Sequence, residues 1–412
     1  MRNITLLILL TTLAACQTTQ PPTPPPTTTT HAAPAPTKIL NGVDILQRDN
    51  FRLLENQRVA IVTNHTGLTR DGQHIVDLLH HAPNVNLVKI FSPEHGLYGK
   101  LDEKVGHSVH PEYDLKVYSL YGETRKPTPD MLEDIDTIVF DIQDIGTRFY
   151  TYISTMGLCM EAASEHNLRI VVLDRPNPIN GIDVAGPIAD EKHFGFTAYG
   201  PIPLRHGMTV GELAHLFNTE YDINANLTVV PVEGWSREQF FDHTGLLWTN
   251  PSPNMRNLTQ AILYPGIGLL ESGKQISVGR GTDQPFEVFG APFINPQQLT
   301  AALNNRNIPG LSFIPIRFTP TVRHYKDQDC GGVYIMITDR HALEPISAGL
   351  TIAWTIEHLY PDAYDLDSVA RMIQDDDAMN ALKSATDPTT IPNIWQAELN
   401  TFKQTRLHHL IY

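Results

Sequence analysis

Acids, histidines and arginines gather in short clusters along this chain, and several of them could move a proton to or from a bound substrate. Glu94 lies in Ser92-Pro93-Glu94-His95-Gly96, directly after the apolar run 85–91 (VNLVKIF). Asp141 and Asp144 follow another apolar run, with Arg148 close behind. Asn64-His65-Thr66, Asp174-Arg175-Pro176-Asn177 and Arg205-His206-Gly207 complete the front half, and Glu271, Arg280 and Asp283 lie further on. Hydrolysis of a glycosidic bond commonly needs one carboxyl to protonate the leaving oxygen. A second carboxyl serves as base, nucleophile or electrostatic partner. Glu94 is the candidate proton donor, because Phe91, Pro93 and Leu97 would surround it with apolar groups that favour the protonated form. Asp141 and Asp144 are candidate partners, with a salt bridge or a loop-capping role as the alternative for each. Arg148, Arg175, Arg205 and Arg280 suit an anionic substrate, since guanidinium groups grip carboxylates with two parallel bonds. At least two of them are expected to neutralise neighbouring aspartates instead.

Other chemistries lack their residues. No Gly-x-Ser-x-Gly elbow supplies a hydrolase serine, and no Gly-x-Gly-x-x-Gly follows the first strand to cradle a dinucleotide. Residues 268–274 match Gly-x-x-x-x-Gly-Lys, but Gln275 replaces the Ser or Thr of a phosphate loop and no strand precedes it. No His-Glu-x-x-His occurs, and His80-His81 and His408-His409 fall on predicted helices, where surface histidines outnumber ligands. Neither a metal nor a cofactor is expected.

The elements that must position the clusters alternate. Strands are predicted at 58–63 (RVAIVT), 85–91, 136–141 (DTIVFD) and 169–174 (RIVVLD), with helices at 73–81 and 151–166. Near-continuous apolar strands separated by helices predict an α/β fold, a Rossmann-like doubly wound parallel sheet covered on both faces. Each of the four strands ends in a polar cluster, and in a parallel sheet those ends share one edge, where ligands bind. Thr209-Val210-Gly211-Glu212 has the form of a capping box, opening a helix to about residue 218, with Arg205-His206-Gly207 near its N-terminus. Further strands are expected at 227–232, 313–318 and 332–338, and helices at 296–305, 345–359 and 395–407. A Gly/Pro-rich stretch from 250 to 283 shows little regular pattern. The reading is a first domain at 38–222 and a smaller α+β domain at 223–412 whose loops cover the active edge of the sheet.

The start of the chain carries an address. Met1-Arg2-Asn3 and the short apolar stretch 4–13 read as a secretory signal, too short to span a bilayer. Leu13-Ala14-Ala15-Cys16 resembles a bacterial lipobox, which makes Cys16 the candidate lipidation site. Gln17, rather than Asp, favours the outer membrane. Residues 17–37 are mostly Thr, Pro, Gln and Ala and read as an extended tether, about twenty residues reaching roughly 60 Å. Periplasmic localisation follows, with membrane attachment through the lipid on Cys16 only. A formal net charge of −15 with no basic run makes nucleic acid an unsuitable partner. Beyond Cys16 only Cys159 and Cys330 remain. They are read as buried thiols, with a single disulfide as the alternative.

The set Ser92-Pro93-Glu94-His95-Gly96, Tyr118-Ser119-Leu120-Tyr121-Gly122, Val139-Phe140-Asp141-Ile142-Gln143-Asp144-Ile145-Gly146 and Leu173-Asp174-Arg175-Pro176-Asn177-Pro178 resembles the NamZ-type exo-β-N-acetylmuramidases, as do Arg205-His206-Gly207-Met208-Thr209, Pro251-Ser252-Pro253-Asn254-Met255 and Gly279-Arg280-Gly281-Thr282. The resemblance runs from about residue 42 to 412. It implies a Rossmann-like domain, a smaller C-terminal domain and a site in the cleft between them. It also implies release of N-acetylmuramic acid from the non-reducing ends of peptidoglycan fragments, with muramyl saccharides as partners. Glu94 becomes the implied acid/base. The implied substrate-binding residues are Asn64, His65, His95, Arg148, Asp174, Arg175, Asn177, His206, Glu271, Arg280 and Asp283, with Asp141 and Asp144 beside Glu94. The family often has Glu-x-Thr-Asn where this chain has Glu271-Ser272-Gly273-Lys274-Gln275, which leaves the register around Glu271 open. Retaining, inverting and substrate-assisted routes all fit. Two other functions fit the residues too: a non-catalytic muropeptide-binding lipoprotein, and a metal-dependent hydrolase using Asp141, Asp144 and histidines.

Overall fold

The computed structural model describes residues 38–100 and 106–412, so the predicted leader, Cys16 and the predicted tether lie outside the described residues. The front half contributes strands β1 Arg58–Thr63, β2 Asn86–Ser92, β3 Ser108–Val109, β4 Lys116–Ser119, β5 Thr137–Asp141 and β6 Arg169–Leu173. The small antiparallel pair β7 Ala185–Ile188 and β8 Pro203–Arg205 follows, then β9 Asn226–Val230. The main sheet runs β3-β4-β2-β1-β5-β6-β9, parallel throughout except for the antiparallel edge strand β3. Without β3, this is the strand order of a Rossmann sheet, with its switch point between β1 and β5.

Burial explains why these strands are parallel. Val59 and Ile61 of β1 belong to one hydrophobic cluster, whereas Ala60 and Val62 belong to another. Ile138 and Phe140 of β5 divide from Val139 in the same way. Side chains of a strand alternate between faces, so each strand feeds a core on both sides, and helices must cover both. The covering helices are α1 Gly42–Arg48, α2 Ile75–His81, the single turn α3 Pro129–Leu132, α4 Tyr152–Glu165 and α5 Val210–Glu220. Thr209 does open α5 with a capping box, exchanging hydrogen bonds with Glu212. Registers Thr63↔Asp141 and Val62↔Phe91 keep the carboxyl ends of β1, β2 and β5 level, so their loops rise from one edge.

The second half holds α6 Leu258–Leu270, strand β10 Val288–Ala291, α7 Pro296–Asn305, strands β11 Leu311–Phe318 and β12 Cys330–Ile337, then α8 Pro345–Leu359, α9 Ala370–Ile373, α10 Asp376–Ser384 and α11 Gln396–Leu407. Its sheet is antiparallel, in order β10-β12-β11. Residues 38–412 form one compact unit, and a single core cluster runs from the main sheet into α6, α8 and the smaller sheet.

Two expectations need correction. The first part does not end at 222, because β9 pairs with β6 in the main sheet. A strand that follows α5 carries no sign in its own residues of which sheet it will join. The stretch 250–283 is not irregular throughout, since it contains α6. Eleven of the residues from Leu258 to Leu270 are buried, so α6 lacks the polar face that gives a helix its period. Its glycines serve packing: a Cβ at Gly266 would lie 1.8 Å from the Pro345 carbonyl oxygen, so only glycine lets α6 cross α8 this closely. Cys159 and Cys330 are free and buried.

Candidate active site

Above the carboxyl edge of the main sheet, loops of both halves enclose a pocket of about 460 Å³. Pro93 ends β2, and a tight turn follows in which the Gly96 amide donates to the Pro93 carbonyl at 3.0 Å. His95 and Gly96 both take positive φ, 69° and 73°. That turn leaves Glu94 half-buried on the pocket wall, with His95 beside it. The loop after β5 reaches the same place from the other side of β1. Its last residue, Thr151, stands directly before α4 and donates its hydroxyl to Glu94 Oε2 at 2.6 Å. No other protein group among the described residues bonds this carboxylate, so Oε1 is the oxygen open to a ligand.

Aromatic rings make the walls. Phe149 and Tyr264 pack at 5.1 Å between centroids, Tyr150 and Tyr152 at 5.0 Å, and Tyr264 and Phe286 at 4.7 Å. Burial pushes the hydroxyls of Tyr150, Tyr152 and Tyr264 above the usual tyrosine range, so they remain protonated donors. Tyr152 donates to the Pro251 carbonyl at 2.5 Å. Rings that carry protonated hydroxyls suit a sugar, which offers apolar faces and polar edges. Further along the wall, Glu271 sits where α6 ends. Arg280 holds it at two points: Nη2 donates to Oε2 at 3.1 Å, and Nε lies 2.6 Å from Oε1 as an ion-pair contact. Gly279 and Gly281, both at positive φ, bend the chain that carries Arg280. His324 also lines this wall, and burial pulls its imidazole below the usual histidine range.

Of the residues expected from sequence, Glu94, His95, Glu271 and Arg280 line the pocket; the others do not. Asp141 is fully buried and bound by Arg175, Nε to Oδ1 at 2.6 Å and Nη2 to Oδ2 at 2.9 Å. Asp144 caps its own turn, accepting the Gly146 amide at 2.7 Å, with His206 Nε2 at 3.6 Å. Asn64 accepts the Thr66 amide and hydroxyl, and Thr66 in turn accepts the Gln143 amide. His65 lies 2.6 Å from the Asn250 carbonyl, with its pKa lowered by burial. Arg148 is buried and donates to four carbonyls, those of Pro187, Ile202, Met372 and Ile373. Burial draws it down to about 9, which still leaves it charged at neutral pH. Arg205 is likewise buried and lies 3.0 Å from Asp183. Asp174 accepts four bonds, from Arg175 N, Gly211 N, Thr209 Oγ1 and Tyr412 Oη, and burial raises it to about 6. Asn177 bonds the Met208 carbonyl and packs on Gly146, where a Cβ would meet it at 2.5 Å. Asp283 is fully exposed, with Arg256 at 3.6 Å.

These positions correct the expectation that four strand-end clusters would face one ligand. The clusters share an edge, but three of them close on one another through their own hydrogen bonds. Asp141, bound to arginine on both oxygens, does not fit a metal ligand set. Among the described residues the group spaced for a metal is Asp190, His193 and Asp376, away from the pocket and bridged by Lys192.

Sequence reasoning missed Tyr150, Thr151, Tyr152, Ser252, Tyr264 and the rim residues Arg125, Phe196 and Arg371. A signal existed for the first three, because Phe149-Tyr150-Thr151-Tyr152 is an aromatic run at the predicted start of a helix. Phe196 and Arg371 carried none; only folding brings them to the pocket.

An open carboxylate presented among aromatic faces and hydroxyl donors, with a second held by arginine, on a Rossmann-type sheet without phosphate-binding glycines, fits a glycoside hydrolase. The particular family is equally plain: the chain belongs to the exo-β-N-acetylmuramidase NamZ family. The family's N-terminal profile matches residues 59–259 and its C-terminal profile residues 262–412. The chain is 41% identical over 380 residues to the peptidoglycan β-N-acetylmuramidase NamZ of Bacillus subtilis, covering 91% of this chain and 92% of that protein. It also resembles two crystal structures of DUF1343 family proteins from Bacteroides fragilis. One has a TM-score of 0.85 at 35% identity and the other 0.73 at 30%, each covering 91% of this chain and 99% of its own.

Proposed function

We propose that this protein removes N-acetylmuramic acid from the non-reducing end of peptidoglycan fragments, with Glu94 as general acid/base. The observation that carries the assignment is the Thr151–Glu94 hydrogen bond inside the aromatic pocket. With Oε2 accepting from Thr151, Oε1 is the oxygen placed to pass a proton to the glycosidic oxygen as the C1–O bond breaks, and the resulting carboxylate takes a proton from the water that then bonds C1. Glu271, clamped by Arg280, is the pocket's other carboxylate among the described residues. We assign it the electrostatic support of positive charge that develops on the sugar ring. A chromogenic β-N-acetylmuramide tests the proposal. Release by wild type and its near-abolition in Glu94→Gln are expected, and no release above background by wild type would overturn it.

The leader, the lipobox and the Pro/Thr-rich segment support a second part of the proposal: lipidation at Cys16 and a periplasmic domain tethered to the outer membrane. Cys16→Ala is expected to move the protein out of the membrane fraction and abolish labelling by a fatty-acid probe. Unchanged fractionation and labelling would rule out the anchor.

A further inference from the structure

Among the described residues, Arg125, Lys274, Arg280, Arg323 and Arg371 line the pocket against two carboxylates, Glu94 and Glu271, although the whole chain has a formal net charge of −15. Positive charge gathered against the sign of the whole molecule points to an anionic group on the ligand. The cations differ in how they are engaged. Arg280 is ion-paired with Glu271, and Lys274 and Arg323 stand in the same neighbourhood, around His324 and Glu271. Arg125 is held differently. Its guanidinium lies 4.1 Å from the centroid of Phe196 and 5.8 Å from that of Tyr121, and both rings line the pocket. No carboxylate among the described residues pairs with it. An arginine fixed over aromatic faces is oriented in advance, and its in-plane N–H groups stay open to a carboxylate in two-pronged fashion. Arg371 also lines the pocket but has no such platform among the described residues.

We propose that Arg125, held over Phe196 and Tyr121, is the specificity-determining residue that reads a carboxylate carried by the substrate's sugar. This rests on the muramidase reading above, under which that group is the lactyl carboxylate of N-acetylmuramic acid. Its recognition would separate the substrate from a neutral N-acetylated sugar of the same ring.

The test compares two chromogenic β-muramides, one with the free lactyl carboxylate and one with that group converted to its primary amide, which keeps the shape and removes the charge. Wild type is expected to favour the acid in kcat/KM by roughly 10- to 100-fold, the range for hydrogen bonds to a charged group. Arg125→Leu should erase the preference by slowing the acid alone, leaving the amide within about twofold. Arg125→Lys should restore part of it, because the charge returns without the fork. A role in folding alone would slow both substrates equally, and that result overturns the proposal. So does a preference that survives in Arg125→Leu, or one that disappears only in Arg371→Leu. Equal cleavage of acid and amide by wild type removes this inference and leaves the muramidase reading standing. Cleavage of neither removes both.

Discussion

β2 and β5 flank the same strand, and each carries an acid at its end or just beyond it, at the head of a polar loop. At the end of β5, Asp141 is enclosed and locked by Arg175 on both oxygens. At the end of β2, Glu94 is half-buried, holds one threonine hydroxyl and faces a pocket. The difference comes from what arrives from elsewhere. β6 lies beside β5, so the loop after β6 delivers Arg175 directly to Asp141. The loop after β2 meets the start of α4 instead, and the second half of the chain closes around it. Similar acids at similar edges therefore divide into a structural pair and a group that can react.

Substitutions can break this division, and the largest effect should come from the open acid. Glu94→Gln is expected to lower kcat by about 10²- to 10⁴-fold, the usual weight of a general acid, with little change in the denaturation midpoint. Asp141→Ala should do the reverse. It leaves Arg175 buried and unpaired, costing about 3–5 kcal/mol of stability. The fraction that remains folded should keep its kcat, as denaturant unfolding and active-site-normalised kinetics would show. If Asp141→Ala removed kcat without loss of stability, the comparison would collapse.

Asp174 sharpens the comparison through pH. Burial raises its pKa from 3.8 to about 6, so between those values the folded state holds a proton that the unfolded state has released. Its contribution therefore favours folding at low pH and is lost as pH rises from about 4 through 6, a change on the order of 2–3 kcal/mol. Unfolding free energies across that window should decline more steeply with pH in wild type than in Asp174→Asn. Thr151→Val should reduce kcat about tenfold by releasing Glu94 from its hydrogen bond, with Thr151→Ser recovering most of the rate. The smallest effect belongs to Asp283. Its side chain is fully exposed, so Asp283→Ala is expected to change stability by under about 0.5 kcal/mol and kcat not measurably.

Much of the fold was legible because burial on two faces leaves a direct mark: runs such as RVAIVT, with no polar interruption, belong to strands covered above and below. α6 was not legible for the related reason that a helix buried on every side loses its polar stripe. At the site, Glu94 and His95 were legible from their place after a buried strand. Arg148, Asp174 and Arg175 came from equally good positions and serve packing instead. Nothing in their own segments distinguishes a charge that will meet a ligand from one that will meet a carbonyl or a carboxylate. Their partners lie far off in the chain: Met372 and Ile373 for Arg148, and Tyr412 for Asp174.

By itself, then, the sequence determined the Rossmann-type sheet, the shared edge of its four polar loops and the acid at the end of β2. Each depends on residues close together in the chain and on strand periodicity. Only the tertiary structure decided which polar groups remain open. It set Arg175 against Asp141 and Thr151 against Glu94, and it brought Tyr264, Glu271 and Arg280 across to complete the pocket. The physical reason is that a charged side chain is neutralised by whatever lies within a few ångströms, and distance in space is a property of the folded chain.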